Sequence, residues 1–278
     1  MSILKINETP VRTSRNFNIN NVKLEDIQIP ENLKEFKGTT IVQNNSNIKL
    51  SSNIEKYDIT YGLGDFFTNQ VLEKANKNIN IEIDGSDEKN INIDNILSSD
   101  NLNLIDNVKI LANENSKATI VIKYKSDKNI ESFHNGIIKI IAKNNSNINV
   151  IIVNLLSETS NNFLSIDAEL EESSKIKATI IDLGGKNSIT NYYSNLIGDL
   201  SDNKLESIYL GKDNQLIDIN YIAELRGKKS NIDINVQGAL KDQAKKHFKG
   251  TMTSKKDVKK QQETKTKNVC YYQTKQNQ

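Results

Sequence analysis

The chain contains no tryptophan, two prolines, one cysteine and two histidines in 278 residues. Each scarcity removes a class of protein. With Cys270 as the sole thiol, no internal disulfide and no cysteine cluster for a metal can form, and a reducing, cytoplasmic setting is expected. His134 and His247 each stand beside a phenylalanine, and neither has a second ligand at metal spacing, so both are expected to be structural. The start, Met1-Ser-Ile-Leu-Lys-Ile, lacks the basic and long apolar regions of a signal peptide. The longest apolar run, Val150 to Leu156, is broken by Asn154 and falls far short of the roughly 20 residues of a membrane-spanning helix. Gly184-Gly185 follows an apolar run as a phosphate loop would, but no Lys-Ser/Thr pair completes it, so it reads as a turn.

Isoleucine, asparagine, lysine and serine dominate in place of the missing types, and hydrophobic residues make up 36%. Isoleucine favours strands, and asparagine tolerates the left-handed conformation that tight turns need. The formal charge of +2 is unevenly spread. From Lys241 to Gln278 eleven lysines stand against Asp242, Asp257 and Glu263, a net of +8 that leaves −6 on the first 240 residues. Such a basic stretch can touch nucleic acid or an anionic membrane, but no aromatic-rich groove accompanies it, and a solvated tail without either partner is expected.

Apolar residues alternate through Lys204 to Gly250. Ile217, Ile219 and Tyr221 fall on one face, as do Ile232, Ile234 and Val236 one strand later, with Gly238 and Gly250 read as tight corners. From about Leu104 a repeat emerges of strand, polar turn, serine and alternating strand. Its serines are Ser116, Ser146, Ser174 and Ser230, at spacings of 30, 28 and 56, with Ser201 near the missing midpoint. A fixed period of this length marks stacked units, none of which can bury its apolar face alone. A sandwich of hairpins shares the strand–turn–strand pattern, and the regular period favours the solenoid. Ile110, Ile140, Ile180 and Ile234 are expected to point inward. Val42-Gln-Asn-Asn-Ser-Asn-Ile48 is an early lone copy, put off register by a helix over about 65–77 that carries Phe66, Phe67, Val71, Leu72 and Ala75, with Asp65 as its N-cap.

Three runs resemble one family. Gly238-Ala-Leu-Lys-Asp with Ala244-Lys-Lys-His-Phe-Lys-Gly-Thr251 resembles the closing signature of the SufB/SufD scaffold proteins, and Leu210-Gly-Lys-Asp-Asn-Gln-Leu-Ile-Asp218 resembles the strand pair before it. Asn7-Glu-Thr-Pro-Val-Arg-Thr13 resembles the family's N-terminal segment, with Ser14 where a large aromatic is usual. The resemblance implies a mainly β fold with a right-handed parallel β-helix (solenoid) core and a small N-terminal segment containing one helix. The expected division is 1–103 for the N-terminal segment, 104–253 for the core and 254–278 for a basic, disordered or aberrant tail.

The resemblance further implies a SufD-like scaffold for iron–sulfur cluster assembly, working with a SufB-type partner and a SufC-type ABC ATPase, with a homodimer as an open alternative. No catalytic, cofactor-binding or metal residue is assigned, and a cluster is expected in the assembled complex but not on this chain alone. Leu225 stands where some family members carry a histidine. The family's C-terminal region, with its histidine motif and closing helices, is not found. Asn268 to Gln278, back-translated with AT-rich codons and read two bases later, gives a Leu-Leu-Ser run like the family's next segment, so a frameshift after Lys267 is expected. An adhesive or structural solenoid without a metal role is the alternative reading. A polysaccharide-acting solenoid would need a row of stacked carboxylates, and Glu169, Glu171 and Glu172 read instead as a solvated turn.

Overall fold

A computed structural model describes residues 3–10, 20–25, 27–43 and 47–254, and the backbone alone of 262–271. Within these, one helix accompanies a long series of strands. The N-terminal elements are β1 (Ile3–Ile6), β2 (Val22–Glu25), β3 (Thr39–Gln43), β4 (Ile48–Ser51) and α1 (Asp65–Lys74). The coil follows as β5 (Lys77–Ile83), β6 (Glu88–Leu97), β7 (Asn103–Ala112), β8 (Lys117–Ser126), β9 (Phe133–Ala142) and β10 (Asn147–Leu155). It continues as β11 (Asn161–Leu170), β12 (Lys175–Asp182), β13 (Asn187–Leu196), β14 (Asp202–Gly211), β15 (Leu216–Leu225) and β16 (Asn231–Leu240). It ends with β17 (Lys245–Ser254) and β18 (Gln262–Tyr271).

Successive strands alternate between two eight-stranded sheets. One sheet runs β18-β16-β14-β12-β10-β8-β6-β3 and the other β17-β15-β13-β11-β9-β7-β5-β4. We call them sheet B and sheet C. From β5 onward every pairing is parallel and joins strands one coil apart, such as Ile140 to Ala168 and Ile122 to Ile152. The molecule is therefore a parallel β-solenoid, and the sandwich is excluded because hairpin-linked strands would pair antiparallel. The parallel coil starts with β5 and β6, upstream of residue 104. It also includes β18, inside the 254–278 stretch expected from the sequence to be a disordered or aberrant tail.

The early copy around Val42 behaves differently from its sequence. β3 and β4 pair antiparallel with β6 and β5, and Val42 and Ile48 pack on the core, so these strands close the first coil as a cap. Asn44 to Ser46 between them, Val11 to Ser14 of the N-terminal resemblance and Tyr272 to Gln278 lie outside the described residues.

The repeating serines close the turns from sheet C to sheet B. The hydroxyls of Ser116, Ser146 and Ser174 donate to the carbonyls of Asn113, Lys143 and Glu171 at 2.7, 2.6 and 2.7 Å. Ser201 completes the series with a 2.9 Å bond to Gly198. The residue before each serine is left-handed: Asn115, Asn145, Ser173, Leu200 and Lys229 have φ of 61, 58, 56, 59 and 57°. This conformation turns the N–H along the coil axis, where Asn115 bonds Asn144, Asn145 bonds Glu172, and Leu200 bonds Lys228. The turns are thus hydrogen-bonded from coil to coil as the strands are.

Ile110, Ile140, Ile180 and Ile234 all lie in the main core, each at most 3% exposed. Gly238 and Gly250 are not corners. Both sit inside strands, β16 and β17, and a Cβ on Gly238 would meet the Tyr209 carbonyl at 2.3 Å, so this glycine permits a close approach.

Sheet B buries alternate residues, whereas the middle strands of sheet C are buried on both faces. The second face of sheet C is covered by the N-terminal segment. Phe67 and Val71 of α1 join Ile6, Val22, Leu24 and Leu63 against Ile105, Phe133, Ile137, Phe163 and Ile189. Asp65 is the first helical residue and Gly64 the N-cap, with no side-chain capping bond. Phe66 and Leu72 stay exposed because they lie off the docked face. The Asn135 amide fixes the helix by donating to Phe67 O at 3.0 Å and Gln70 Oε1 at 2.8 Å.

Leu200 is 51% exposed and carries a left-handed φ that costs a branched side chain roughly 1–3 kcal/mol. Leu200→Asn is expected to raise stability by about 1 kcal/mol in urea unfolding, since Asn tolerates that conformation and no packing is lost. An unchanged or lower midpoint would refute the role assigned to this turn.

Candidate functional site

Two groups of buried polar residues stand out from the apolar coil. The first lies inside it, near the links that lead from sheet B back to sheet C. On sheet C the second strand positions place His134, Asn162 and Ser188 in register, and on sheet B the row reads Asn95, Tyr124, Asn154, Asp182 and Tyr209. All are within a few per cent of full burial. Most of them bond one another, although Asn95 Nδ2 has no hydrogen-bond partner.

His134 is the centre of this ladder. Its Nε2 lies 2.8 Å from Asp106 Oδ1 and its Nδ1 2.6 Å from Asn162 Oδ1. The Tyr124 hydroxyl donates to the other Asp106 oxygen at 2.9 Å, and its ring stacks on the imidazole at 4.0 Å. Asn162 donates to Ser188 Oγ at 3.0 Å, and Asn154 donates to Ser188 Oγ at 3.2 Å and Asp182 Oδ1 at 2.8 Å. Gly136 makes room for the pair, because a Cβ there would sit 2.3 Å from Asp106 Oδ1. Both imidazole nitrogens are thus engaged and neither faces a free space. Burial and the Asp106 charge push the Tyr124 phenol well up, so it stays a neutral donor. Lys77, in register with Asp106, has its ammonium pulled below the usual lysine range by burial, and it bonds Asn95 Oδ1 at 2.5 Å.

The second group lies on the outer face of sheet C, where the N-terminal arm crosses β13, β15 and β17. Asn7, fully buried with φ 54°, donates through Nδ2 to Asp218 Oδ1 at 2.6 Å and Thr190 O at 3.1 Å. Asn191 donates to Asn7 Oδ1 at 3.0 Å, and Lys249 Nζ donates to Asn7 O at 2.9 Å. Lys249 also pairs with Asp218 at 2.9 Å, both buried, and His247 Nδ1 stands 3.4 Å from the other Asp218 oxygen.

Both histidines read from the sequence as structural therefore have carboxylate neighbours, Asp106 and Asp218, each from a strand more than twenty residues away. Sequence spacing conceals these partners because a coil brings residues together at its own period. Among the described residues, no three His, Cys, Asp or Glu side chains gather as a metal would require. Glu171 pairs with Lys143 at 2.6 Å in the turn after β11. Gly184-Gly185 forms the link after β12, where Gly185 has φ 88° and donates to Leu156 O. Leu225 is a buried core residue ending β15. No helix among the described residues is long and apolar enough to cross a membrane.

Burial raises the Asp182 carboxyl above the ordinary aspartate range, against the opposing effects of Ser188, Lys246 and Asn154. An acid whose folded pKa is raised opposes folding once the pH passes its unfolded value, because the folded state then holds a proton that the unfolded state has released. Asp182→Asn keeps the acceptor facing Asn154 and removes that cost. It is expected to unfold at higher urea than wild type at pH 7, with the difference closing as the pH falls below about 4, the unfolded value. A variant less stable at pH 7 would overturn this account.

The chain matches no protein in the curated set at a significant level. It does match a family model described as the SufBD core domain of the SUF system for FeS cluster assembly, over residues 95–271. That span is more than half of the chain and takes in the coil from the end of β6 to the end of β18, with both polar groups except Asn7 and Lys77. A parallel solenoid carrying that core places the chain in the SufB/SufD family, with a role in iron–sulfur cluster assembly in the SUF system.

Proposed function

We propose that this chain is a SufD-like scaffold subunit, without enzymatic activity of its own, that acts in the cytoplasm with a SufB-type partner and a SufC-type ABC ATPase. The observation that carries the reading is the SufBD core match over a solenoid whose polar interior is closed by its own side chains. A scaffold works by shape, and a coil bonded along its axis at both strands and turns is a rigid body. The sequence offers no phosphate loop, so energy from ATP has to come from another subunit. Its single cysteine favours a SufD-like over a SufB-like role, since clusters are held mainly by several cysteine thiolates.

Docking is assigned to the C-terminal end of the coil. β17 and β18 are the outermost strands of their sheets among the described residues. A strand edge of this kind accepts a partner's strand through backbone hydrogen bonds. At the other end β3 and β4 already cap the coil.

Mixed with a SufB-type and a SufC-type subunit, the chain is expected to co-elute as one complex in size-exclusion chromatography with light scattering. Elution of the folded chain alone, apart from both subunits, refutes the assignment. Separately, anaerobic reconstitution with iron and sulfide is expected to leave no stoichiometric cluster on the isolated chain. A stable cluster absorbance on the monomer would contradict the SufD-like role.

A further inference from the structure

The polar seat around Asn7 joins the start of the chain to the last described strand of sheet C, across as many as 242 residues of sequence. Its composition differs from that of a packed core. Asn7 contributes its side chain and its carbonyl, and the seat contributes Asp218, Asn191, Asn220 and Lys249 from three adjacent strands. With the arm in place, Asp218 Oδ2, Asn191 Oδ1 and Asn220 Oδ1 still lack a hydrogen-bond partner. With the arm gone, Asp218 and Lys249 keep each other but lose their bonds to Asn7 and the cover that shields their ion pair from water. The filled seat therefore ties β13, β15 and β17 together more tightly than the empty one.

β17 is the strand with most to lose. One of its edges is laddered to β15, no described strand lies beyond the other, and most of its side chains are partly or fully exposed. Its most buried side chain is Lys249, which is the one that reaches Asn7. β9 and β11, by contrast, are laddered on both edges and covered on both faces.

We propose that the N-terminal arm is a latch for β17. Asn7 seated against Asp218 and Lys249 holds the last described strand of sheet C in the coil, and release of the arm loosens that strand. Coupling of this kind is reciprocal, so anything that orders β17 tightens the arm. If a partner strand docks on the β17 edge, as the proposed function holds, the arm senses that docking on the far side of the sheet. The latch itself does not depend on that reading and is tested on the isolated chain.

The test is hydrogen exchange followed by mass spectrometry on the full chain and its Asn7→Ala, Asn7→Asp and Lys249→Met variants, with Glu8→Ala as an arm variant whose side chain faces solvent. Asn7→Ala is expected to speed exchange at least tenfold over residues 3–6 and 245–254, while 133–170 keeps the wild-type rate. Asn7→Asp, which sets a carboxylate against Asp218, should loosen both segments further. Lys249→Met should loosen the arm although it lies in β17, and Glu8→Ala should change neither. An arm that loosens with β17 unchanged overturns the latch. So does a uniform rise across all coils, or an Asn7→Ala chain that fails to fold, since either makes Asn7 a support of the whole fold.

Discussion

The structure depends on keeping every coil in step with the next. A parallel strand pair cannot be closed by a tight hairpin, so each strand finds its hydrogen-bond partners one full coil away. The turns make this possible at a fixed geometry. A left-handed residue followed by a serine recurs at Asn115–Ser116, Asn145–Ser146, Ser173–Ser174, Leu200–Ser201 and Lys229–Ser230. In the first four the serine closes its own turn and the left-handed residue bonds the turn above it, while Ser230 Oγ donates to Gly198 O one coil back. Because the constraint is on backbone shape, chemically different residues fill the position. Leucine and lysine stand where asparagine suits the conformation better, held by the ladders on either side.

From this regularity follows a difference between the two sheets. Sheet B needs a single apolar face and alternates accordingly, as a sheet with one wet side must. Sheet C carries apolar and polar residues outward as well, and these are covered by α1, the β1–β2 hairpin and the segment around Leu63. Polar contacts position that cover. Thr60 N reaches Asp167 Oδ2 at 3.1 Å, Leu63 N reaches Ser165 Oγ at 3.2 Å, and Asn135 holds α1. Apolar contact supplies attraction without direction, and the hydrogen bonds decide where on a nearly periodic surface the segment sits.

The coil was legible in the sequence because its cause is local. Alternating isoleucines and a serine every 27 to 30 residues are short-range patterns, and the inward side chains and turn positions follow from them. Three features were not legible, each for a physical reason. β3 and β4 share the residue pattern of a coil, but strand direction is set by partners far away in sequence, so their antiparallel capping is invisible locally. Gly238 reads as a turn residue by type, yet its use is the space it leaves for Tyr209 on the neighbouring strand. The partners of His134 and His247 come from neighbouring strands. Asp106 and Asn162 each lie 28 residues from His134, close to the coil period, and motif searches at metal spacing do not look there.

A buried ladder of charged and polar groups is a costly way to fill a coil, and aliphatic residues of similar size would often be more stable. What the ladder adds is register. An isoleucine stack tolerates a slip by one coil, because every rung offers the next the same apolar surface. The sequence Asp106, His134, Asn162, Ser188 does not repeat, so each hydrogen bond is satisfied in one alignment alone. A slip would leave a carboxylate or an imidazole buried without its partner. In a chain built from near-identical repeats, these few non-repeating bonds distinguish one coil from the next. They fix which strand stands beside which along the solenoid.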